Sequence, residues 1–356
     1  MARQLRVGVI GTGFGGRVHI PGFMMHPDTT VVAISSSSLE KARSVAQKLG
    51  VPHACESAEA LIARDDIDLV SITTPPFLHR DMLLAAVGHG KHVLCEKPLA
   101  LSAEQGREMV NAAREAGVVA AINHEFRFVP ARARFGQLAR DGYLGNVHTL
   151  EIMNLFPRRP TPQSAPWNWW SEAERGGGVL GAIGSHYIDA TRAWLGEVDG
   201  VYALLDTYVR ERHDPATNET RPVTSDDTAS LLLRLANGAQ AGIRVSSVSA
   251  GRFNTVVATG DAGTLMLEND ETLHGALGGA ETEQLPIPAE LQLVPVEGDR
   301  LIAPFLKLVT ELVKQVRGEP GEAPSLEDGL RHQEVLDAAR RSAREQRWIH
   351  VAEAAQ

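Results

Sequence analysis

A lysine and a histidine stand where a side chain can act on a ligand. Lys97 closes the run His92-Val93-Leu94-Cys95-Glu96-Lys97-Pro98. The apolar part of that run is short and bounded by Gly90 and Pro98, so it reads as a buried strand. Pro98 removes a ladder donor and pushes Lys97 away from helical dihedrals. An ammonium is thereby held at the tip of a strand, as a surface charge or as a reagent according to the sheet behind it. His186 follows the glycine-rich stretch Gly176-Gly177-Gly178-Val179-Leu180-Gly181-Ala182-Ile183-Gly184-Ser185 and opens a helix-like segment, 186–195. Helical spacing puts His186, Asp189 and Ala193 on one face, and Tyr187, Ala190 and Trp194 on another that reads as core. An imidazole there can exchange a proton near neutral pH. Asp189 is placed to orient it or to pair locally.

A third stretch, Val9-Ile10-Gly11-Thr12-Gly13-Phe14-Gly15-Gly16, contains G-x-G-x-x-G at Gly11, Gly13 and Gly16. Gly11 permits a tight turn, Gly13 lets a pyrophosphate approach the backbone, and Gly16 lets helix pack on strand. Free amides at the helix start would meet the phosphates. Dinucleotide binding is the favoured reading, with a ligand-free glycine turn or a methyltransferase-like loop as alternatives. The second strand of such a unit commonly ends in a carboxylate, about twenty positions on, that holds the ribose diol of NAD. Here Ser35-Ser36-Ser37-Ser38 stand at that place. No carboxylate would repel a 2′-phosphate, and Lys41, Arg43 or Arg17 are near enough in sequence to supply charge. The run favours NADP over NAD; read structurally, it is a polar turn.

These residues need a scaffold, and the first third of the chain supplies one. Strand-like runs at 5–10, 30–35, 69–73, 92–95 and 118–122 alternate with helix-like runs at 15–25, 39–49, 58–64, 79–88 and 102–116. Such alternation predicts a parallel sheet with helices on both faces, and ligands bind beyond the carboxyl ends of its strands. Both Gly11 and Lys97 lie at such ends. From about residue 123 the pattern changes. A helix at 131–141 leads to strands at 147–154, 201–209, 228–235, 239–247, 254–259 and 264–268. Helices at 186–195, 304–317 and 326–346 flank them, and 210–224 and 275–288 read as loops. The fold class expected is α/β, an N-terminal Rossmann domain over 1–122, plus a C-terminal α+β domain over 123–356 on a large, mostly antiparallel, open-faced sheet.

With 356 residues the chain can bury two cores, and its net charge of −9 with scattered basic residues argues against nucleic acid or an anionic membrane as partner. Cys55 and Cys95 have no partners at metal spacing and suit a reduced, cytoplasmic setting. No stretch approaches a membrane span, and a strand starting at Leu5 leaves no expected room for a secretory leader.

The glycine loop, Thr73-Thr74-Pro75-Pro76-Phe77-Leu78-His79, the Glu96-Lys97-Pro98 signature, Arg127-Phe128-Val129-Pro130, Gly142-Tyr143-Leu144-Gly145-Asn146-Val147 and residues 176–189 occur in order. Together they resemble the Gfo/Idh/MocA oxidoreductases, which include glucose–fructose oxidoreductase and inositol dehydrogenase. The resemblance implies an NAD(P)-dependent dehydrogenase or reductase acting on a sugar or polyol between two domains. It makes Lys97 and His186 the catalytic pair, with Lys97 facing the substrate across a peptide to Pro98 that is often cis. It implies cofactor contacts at Gly11, Gly13, Phe14, Gly16, Ser35, Ser36, Ser37, Lys41, Thr74, Pro75, His79, Glu96 and Lys97. Arg127, Trp169, His186 and Asp189 are implied at the substrate, where the tryptophans at 167, 169 and 170 would otherwise serve packing. No metal is implied. Relatives commonly pair through the open sheet, so a homodimer or homotetramer is expected. One departure stands out: Ala182 occupies a position, four residues before His186, where many relatives carry aspartate. It leaves room for a different reading, a cofactor-bound sensor or binding protein without turnover.

Overall fold

The computed structural model describes residues 3–354 and divides into two compact units. In the first, strands β1 (Leu5–Ile10), β2 (Thr29–Ser35), β3 (His53–Ala54), β4 (Leu69–Ile72), β5 (His92–Cys95) and β6 (Ala120–Ile122) form one sheet in the order β3-β2-β1-β4-β5-β6. Every pairing is parallel. Strands β2 and β3 lie to one side of β1 and β4 to β6 to the other, so the strand order reverses between β1 and β4. That switch point is where the glycine loop leaves β1. Val7, Val9, Leu69, Ile72, Val93 and Leu94 are buried, as strands covered on both faces require.

Helices α1 (Ile20–Met25), α2 (Leu39–Leu49), α3 (Ala58–Ile62), α4 (His79–Gly88) and α5 (Ala103–Glu115) connect these strands. Ser38, Ser57 and Ser102 each accept a hydrogen bond from an amide three residues on, which starts α2, α3 and α5. The helix expected over 15–25 is interrupted. A wide, π-type turn (Gly15–His19) precedes α1.

In the second unit α6 (Pro130–Arg140) leads into β7 (Val147–Pro157), and α7 (Ser185–Leu195) precedes β8 (Val198–Asp206). A hairpin of β9 (Glu211–Asp214) and β10 (Glu219–Pro222) follows, within the stretch expected to be a loop. Next come β11 (Thr228–Leu235), β12 (Gln240–Ser246), β13 (Val248–Gly260), β14 (Gly263–Glu268), β15 (Thr272–Leu277) and β16 (Glu283–Gln284). Part of the second expected loop is thus strand. With β17 (Ile349–His350) these make a nine-stranded sheet, β16-β15-β14-β13-β7-β12-β11-β8-β17, antiparallel apart from the β7–β12 pair. Phe135, Tyr187, Ile188 and Trp194 cover one face together with Val335, Leu336 and Ala339.

The compact units are not divided by one boundary at residue 122. The first unit comprises Met1–Phe128 and Leu293–Leu330, the second Val129–Gln292 and Arg331–Gln356. Helix α8 (Ile302–Val316) returns to the parallel sheet. Its Phe305, Leu308, Val309 and Leu312 complete a core with Val7, Val9, Val18 and Phe23. Helix α9 (Leu326–Glu345) starts in the first unit, where Leu326 and Leu330 pack with Leu99 and Ile122. Apolar periodicity shows that α8 buries a face but not which sheet receives it.

Arg127 ties the end of the first segment to the returning one, donating to Asp328 at 3.0 Å. Burial raises the Asp328 carboxyl, but Arg127 and the Ser325 amide and hydroxyl outweigh this and bring it down to about 2. The folded-state value lies below the unfolded one, so the pair stabilises the fold above about pH 4 and loses effect as pH falls toward 2. Arg127→Met should therefore cost about 1–2 kcal/mol in urea unfolding at neutral pH, after discounting for solvent screening, with the gap closing in acid. An equal gap at both pH values would contradict an ionic role for Arg127.

Candidate functional site

In the first unit the candidate residues gather at the carboxyl ends of β1, β2, β4 and β5. Gly11 takes a left-handed φ of +100°. A Cβ there would lie 2.7 Å from the Thr73 carbonyl oxygen, so only glycine fits. The Thr73 hydroxyl donates toward the carbonyls of Ile10 and Gly11, at 2.9 Å each, and anchors the loop to the end of β4. Around Gly13 a Cβ would meet nothing within 4 Å, which leaves the backbone open to a ligand. The packing role expected of Gly16 belongs to its neighbour. A Cβ on Gly15 would collide with the Thr73 hydroxyl, whereas one on Gly16 would make ordinary contact with Val45 at 3.8 Å. Phe14 packs edge-on against His19, with ring centroids 5.5 Å apart. An open loop at the switch point of a parallel sheet, its amides leading a helical turn, fits a dinucleotide.

The serine run divides its duties. Ser35 is 1% exposed, at the inner end of the run. Ser36 shares a 2.7 Å hydrogen bond with Thr12 on the glycine loop. Ser37 is exposed, and Ser38 caps α2 by accepting from the Lys41 amide at 3.2 Å. The Lys41 side chain is exposed. Arg17 is exposed, 3.7 Å from Asp299.

Lys97 is half-buried at the end of β5, and its peptide to Pro98 is cis. Glu96 and His79, the neighbouring candidates, are both buried. Glu96 Oε1 accepts from Asn123 Nδ2 at 2.6 Å and lies 3.0 Å from His19 Nε2, while Oε2 accepts from the Lys97 amide at 3.1 Å. His79 is fully enclosed, with Nε2 2.8 Å from the Thr74 carbonyl and Nδ1 3.1 and 3.2 Å from those of Pro98 and Leu99. Burial lowers its pKa against the pull of these carbonyls. It braces the turn at Thr74 and Pro75 against the one after Lys97. Both residues are half-buried. His19, Ser71, Thr73 and Asn123 were missed from sequence. The available signal was a histidine set among apolar neighbours, Val18-His19-Ile20.

In the second unit His186 begins the α-helical part of its segment, after a wide turn at Leu180–Gly184. His186 is 3% exposed and Asp189, one turn later, 2%. Two buried groups set this helix in place. The Asp226 carboxylate accepts from the Leu180 amide at 2.7 Å, and burial raises its pKa to about 6. Gly178, at φ +109°, lies so close to Asp226 that a Cβ would strike the carboxylate. From the other side, the Tyr187 hydroxyl receives Arg132 at 3.0 Å and Asn154 at 2.8 Å and donates to Asn254 at 2.9 Å. Arg132 in turn donates to Asp270 at 2.7 Å. Tyr187, Ala190 and Trp194 pack into the core, as the spacing predicts.

Trp169 is half-buried beside Trp170, their centroids 6.2 Å apart. Trp167 serves the hairpin, donating to the Pro222 carbonyl at 3.0 Å beneath the Arg221 guanidinium. Among the described residues no cluster of histidine, cysteine or carboxylate side chains could hold a metal ion, and no helix is long and apolar enough to cross a membrane.

Two family models match the chain. One, described as the oxidoreductase family with NAD-binding Rossmann fold, covers residues 5–124, and the GFO/IDH/MocA C-terminal domain covers residues 133–266. An uncharacterized oxidoreductase of Synechocystis is 35% identical across 98% of this chain and 96% of its own length. Levoglucosan dehydrogenase of Pseudarthrobacter phenanthrenivorans is 27% identical across 98% of each chain. A solved structure of levoglucosan dehydrogenase with NADH and levoglucosan aligns with TM-score 0.89 at 26% identity, over 98% of this chain and 100% of that one. An oxidoreductase domain protein from Kribbella flavida aligns at TM-score 0.90 and 27% identity with the same coverage. The parallel sheet, its glycine loop, the Glu96-Lys97-Pro98 turn and the second unit's sheet all agree with these matches, and the chain belongs to the Gfo/Idh/MocA oxidoreductases.

Proposed function

We propose that this oxidoreductase moves a hydride between a nicotinamide cofactor and a hydroxyl-bearing carbon of a sugar or polyol. The observation that carries this reading is Lys97, held half-buried at the end of β5 in the sheet whose β1 carries the open glycine loop. Levoglucosan dehydrogenase, whose solved complex holds NADH and levoglucosan, supports the substrate class. When bound, the nicotinamide supplies the hydride chemistry. In oxidation His186 takes the proton of the substrate hydroxyl, and the Lys97 ammonium stabilises the charge that develops on that oxygen. Asp189, Trp169 and Arg127 are proposed on the substrate side. Arg127 is already committed in part to Asp328. The sensor reading rests on Ala182 alone, and absorbance change at the nicotinamide band over a panel of sugars and polyols separates the two.

With a substrate from that panel, Lys97→Ala should lower turnover by roughly a hundredfold or more. Cofactor affinity should stay near its original value, because the glycine loop is left intact. Undiminished turnover would remove Lys97 from the mechanism.

For the cofactor we propose NADP ahead of NAD. Support comes from half-buried Ser36 and exposed Ser37, with exposed Lys41 on the first turn of α2. Hydroxyls can donate to a 2′-phosphate, and a carboxylate would repel it. Fluorescence titration should show tighter NADP than NAD, with Ser36→Asp reversing the order. Tighter NAD in the unaltered protein would make the serine run a polar turn only.

A second copy of the chain is proposed to cover the sheet face turned away from α6 and α7. Leu204, Leu232 and Phe253 are 54%, 60% and 50% exposed there or at its margin, a hazard for an isolated sheet. Light scattering at micromolar concentration should give a dimer or tetramer. A monomer mass would contradict it.

A further inference from the structure

Behind Lys97 a line of polar side chains runs through the interior of the first unit, and the proposed reaction makes no use of it. Ser71, His19 and Asn123 are fully buried and Glu96 nearly so. The Ser71 hydroxyl lies 2.8 Å from His19 Nδ1, and His19 Nε2 lies 3.0 Å from Glu96 Oε1. Asn123 donates to that same oxygen at 2.6 Å. The other carboxylate oxygen accepts from the Lys97 amide at 3.1 Å. Since Oε1 offers only lone pairs, Nε2 must carry the proton. His19 ends the turn that starts at Gly15, so it belongs to the glycine-loop segment. Its ring is packed against Phe305, with centroids 4.3 Å apart, and edge-on to Phe14 and Phe23. It therefore has little freedom to follow Glu96 if Glu96 moves.

We propose that His19 is a positioning residue for Lys97, acting through Glu96, which joins the glycine-loop segment and the lysine in one hydrogen-bonded line. This rests on the reading of Lys97 as the substrate-facing lysine. The line fixes the backbone of the lysine and sets a carboxylate near enough to interact with its charge. Burial raises the Glu96 carboxyl, and His19, Lys97 and Asn123 together reverse that, leaving it lowered and ionised. Other groups around Lys97 do not replace this charge. Burial lowers the pKa of His79 at the start of α4 and of His124 after β6, and neither could supply a negative charge. The Cys95 thiol is raised well above its usual value and stays protonated. Arg127 and Asp328, which act on His124 together with Lys97, are paired to one another. The His19 ring supports the carboxylate from the glycine-loop side.

Trace labelling with acetic anhydride, read by mass spectrometry, reports the free-amine fraction of Lys97 without any substrate. Labelling at about pH 8, divided by labelling at about pH 10.5 where most lysines are deprotonated, separates charge from access. Exposed Lys48 serves as reference. Glu96→Gln should raise this ratio for Lys97 by roughly threefold to tenfold, because the ammonium loses its carboxylate. His19→Leu should shift it the same way, since an unsupported buried carboxyl takes up a proton. His19→Gln keeps a side-chain N–H for Glu96 and should return the ratio toward the original value. A merely structural role would raise labelling at both pH values and leave the ratio unchanged. An unchanged ratio in Glu96→Gln overturns the proposal, as does a His19→Gln ratio as altered as that of His19→Leu. If His19→Leu fails to fold, Glu96→Gln together with His19→Gln decides. Because labelling reads the amine itself, its outcome is separate from the turnover of Lys97→Ala.

Discussion

An ionised carboxylate survives inside a protein only where donors meet it, and Glu96 is such a group. Three different parts of the chain supply its donors: His19 after the glycine loop, Asn123 after β6, and the Lys97 amide at its own strand end. Each must arrive at a fixed distance, so the ends of β4, β5 and β6 and the turn after β1 are set relative to one another. Water must also be kept out, and α8 does this by placing Phe305 on His19 and Phe23. The return of 293–330 to the first unit is thus part of how the strand-end charge is housed. A helix added to the second unit instead would leave the His19 ring without its Phe305 cover.

The second unit meets a similar demand around His186 by other means. Its helix is anchored at the start by the Asp226 carboxylate and on its core side by the Tyr187 hydroxyl. Burial lifts the Tyr187 phenol to about 12, so it stays protonated and donates to Asn254 while Arg132 and Asn154 donate to it. Arg132, 1% exposed, is tolerable because Asp270 and Tyr187 meet it. In both units a candidate proton-handling or charge-bearing side chain is adjacent in sequence to a buried, hydrogen-bonded neighbour: Lys97 to Glu96, His186 to Tyr187. Each neighbour limits the motion of the candidate residue's backbone.

Residues of one type in one short stretch take unlike roles. Gly11 satisfies a backbone conformation, Gly13 leaves space, and Gly15 avoids a collision with Thr73. Along the serine run Ser35 is interior, Ser36 bonds Thr12, Ser37 is exposed and Ser38 caps a helix. What differs is the element standing opposite each position. For the glycines this element is the end of β4. For the serines it is the glycine loop on one side and the first turn of α2 on the other.

The amino-acid sequence by itself determined the features that depend on near neighbours. Apolar runs between turn residues placed β1, β2, β4 and β5 to within a residue or so, and alternation with helices made the sheet parallel. The glycine spacing after β1 marked a tight, open turn, and Pro98 marked Lys97 as a strand-end residue. The 3.6-residue period separated Tyr187, Ala190 and Trp194 from His186 and Asp189. Only the tertiary structure decided matters that turn on residues far apart in the chain. The hairpin at 211–222 and strand β15 have weak local signals and exist because a partner strand pairs with them. Glu96 and His79 lie beside motifs in sequence, but their interior partners, His19 and the Thr74 carbonyl, appear only in the fold. The same holds for α8, whose apolar face is evident in sequence while its place against Phe23 and His19 is not. Local patterning tells a residue whether to be buried. Which distant group meets it is set by packing and by the requirement that buried charge be answered, and neither acts until the chain has folded.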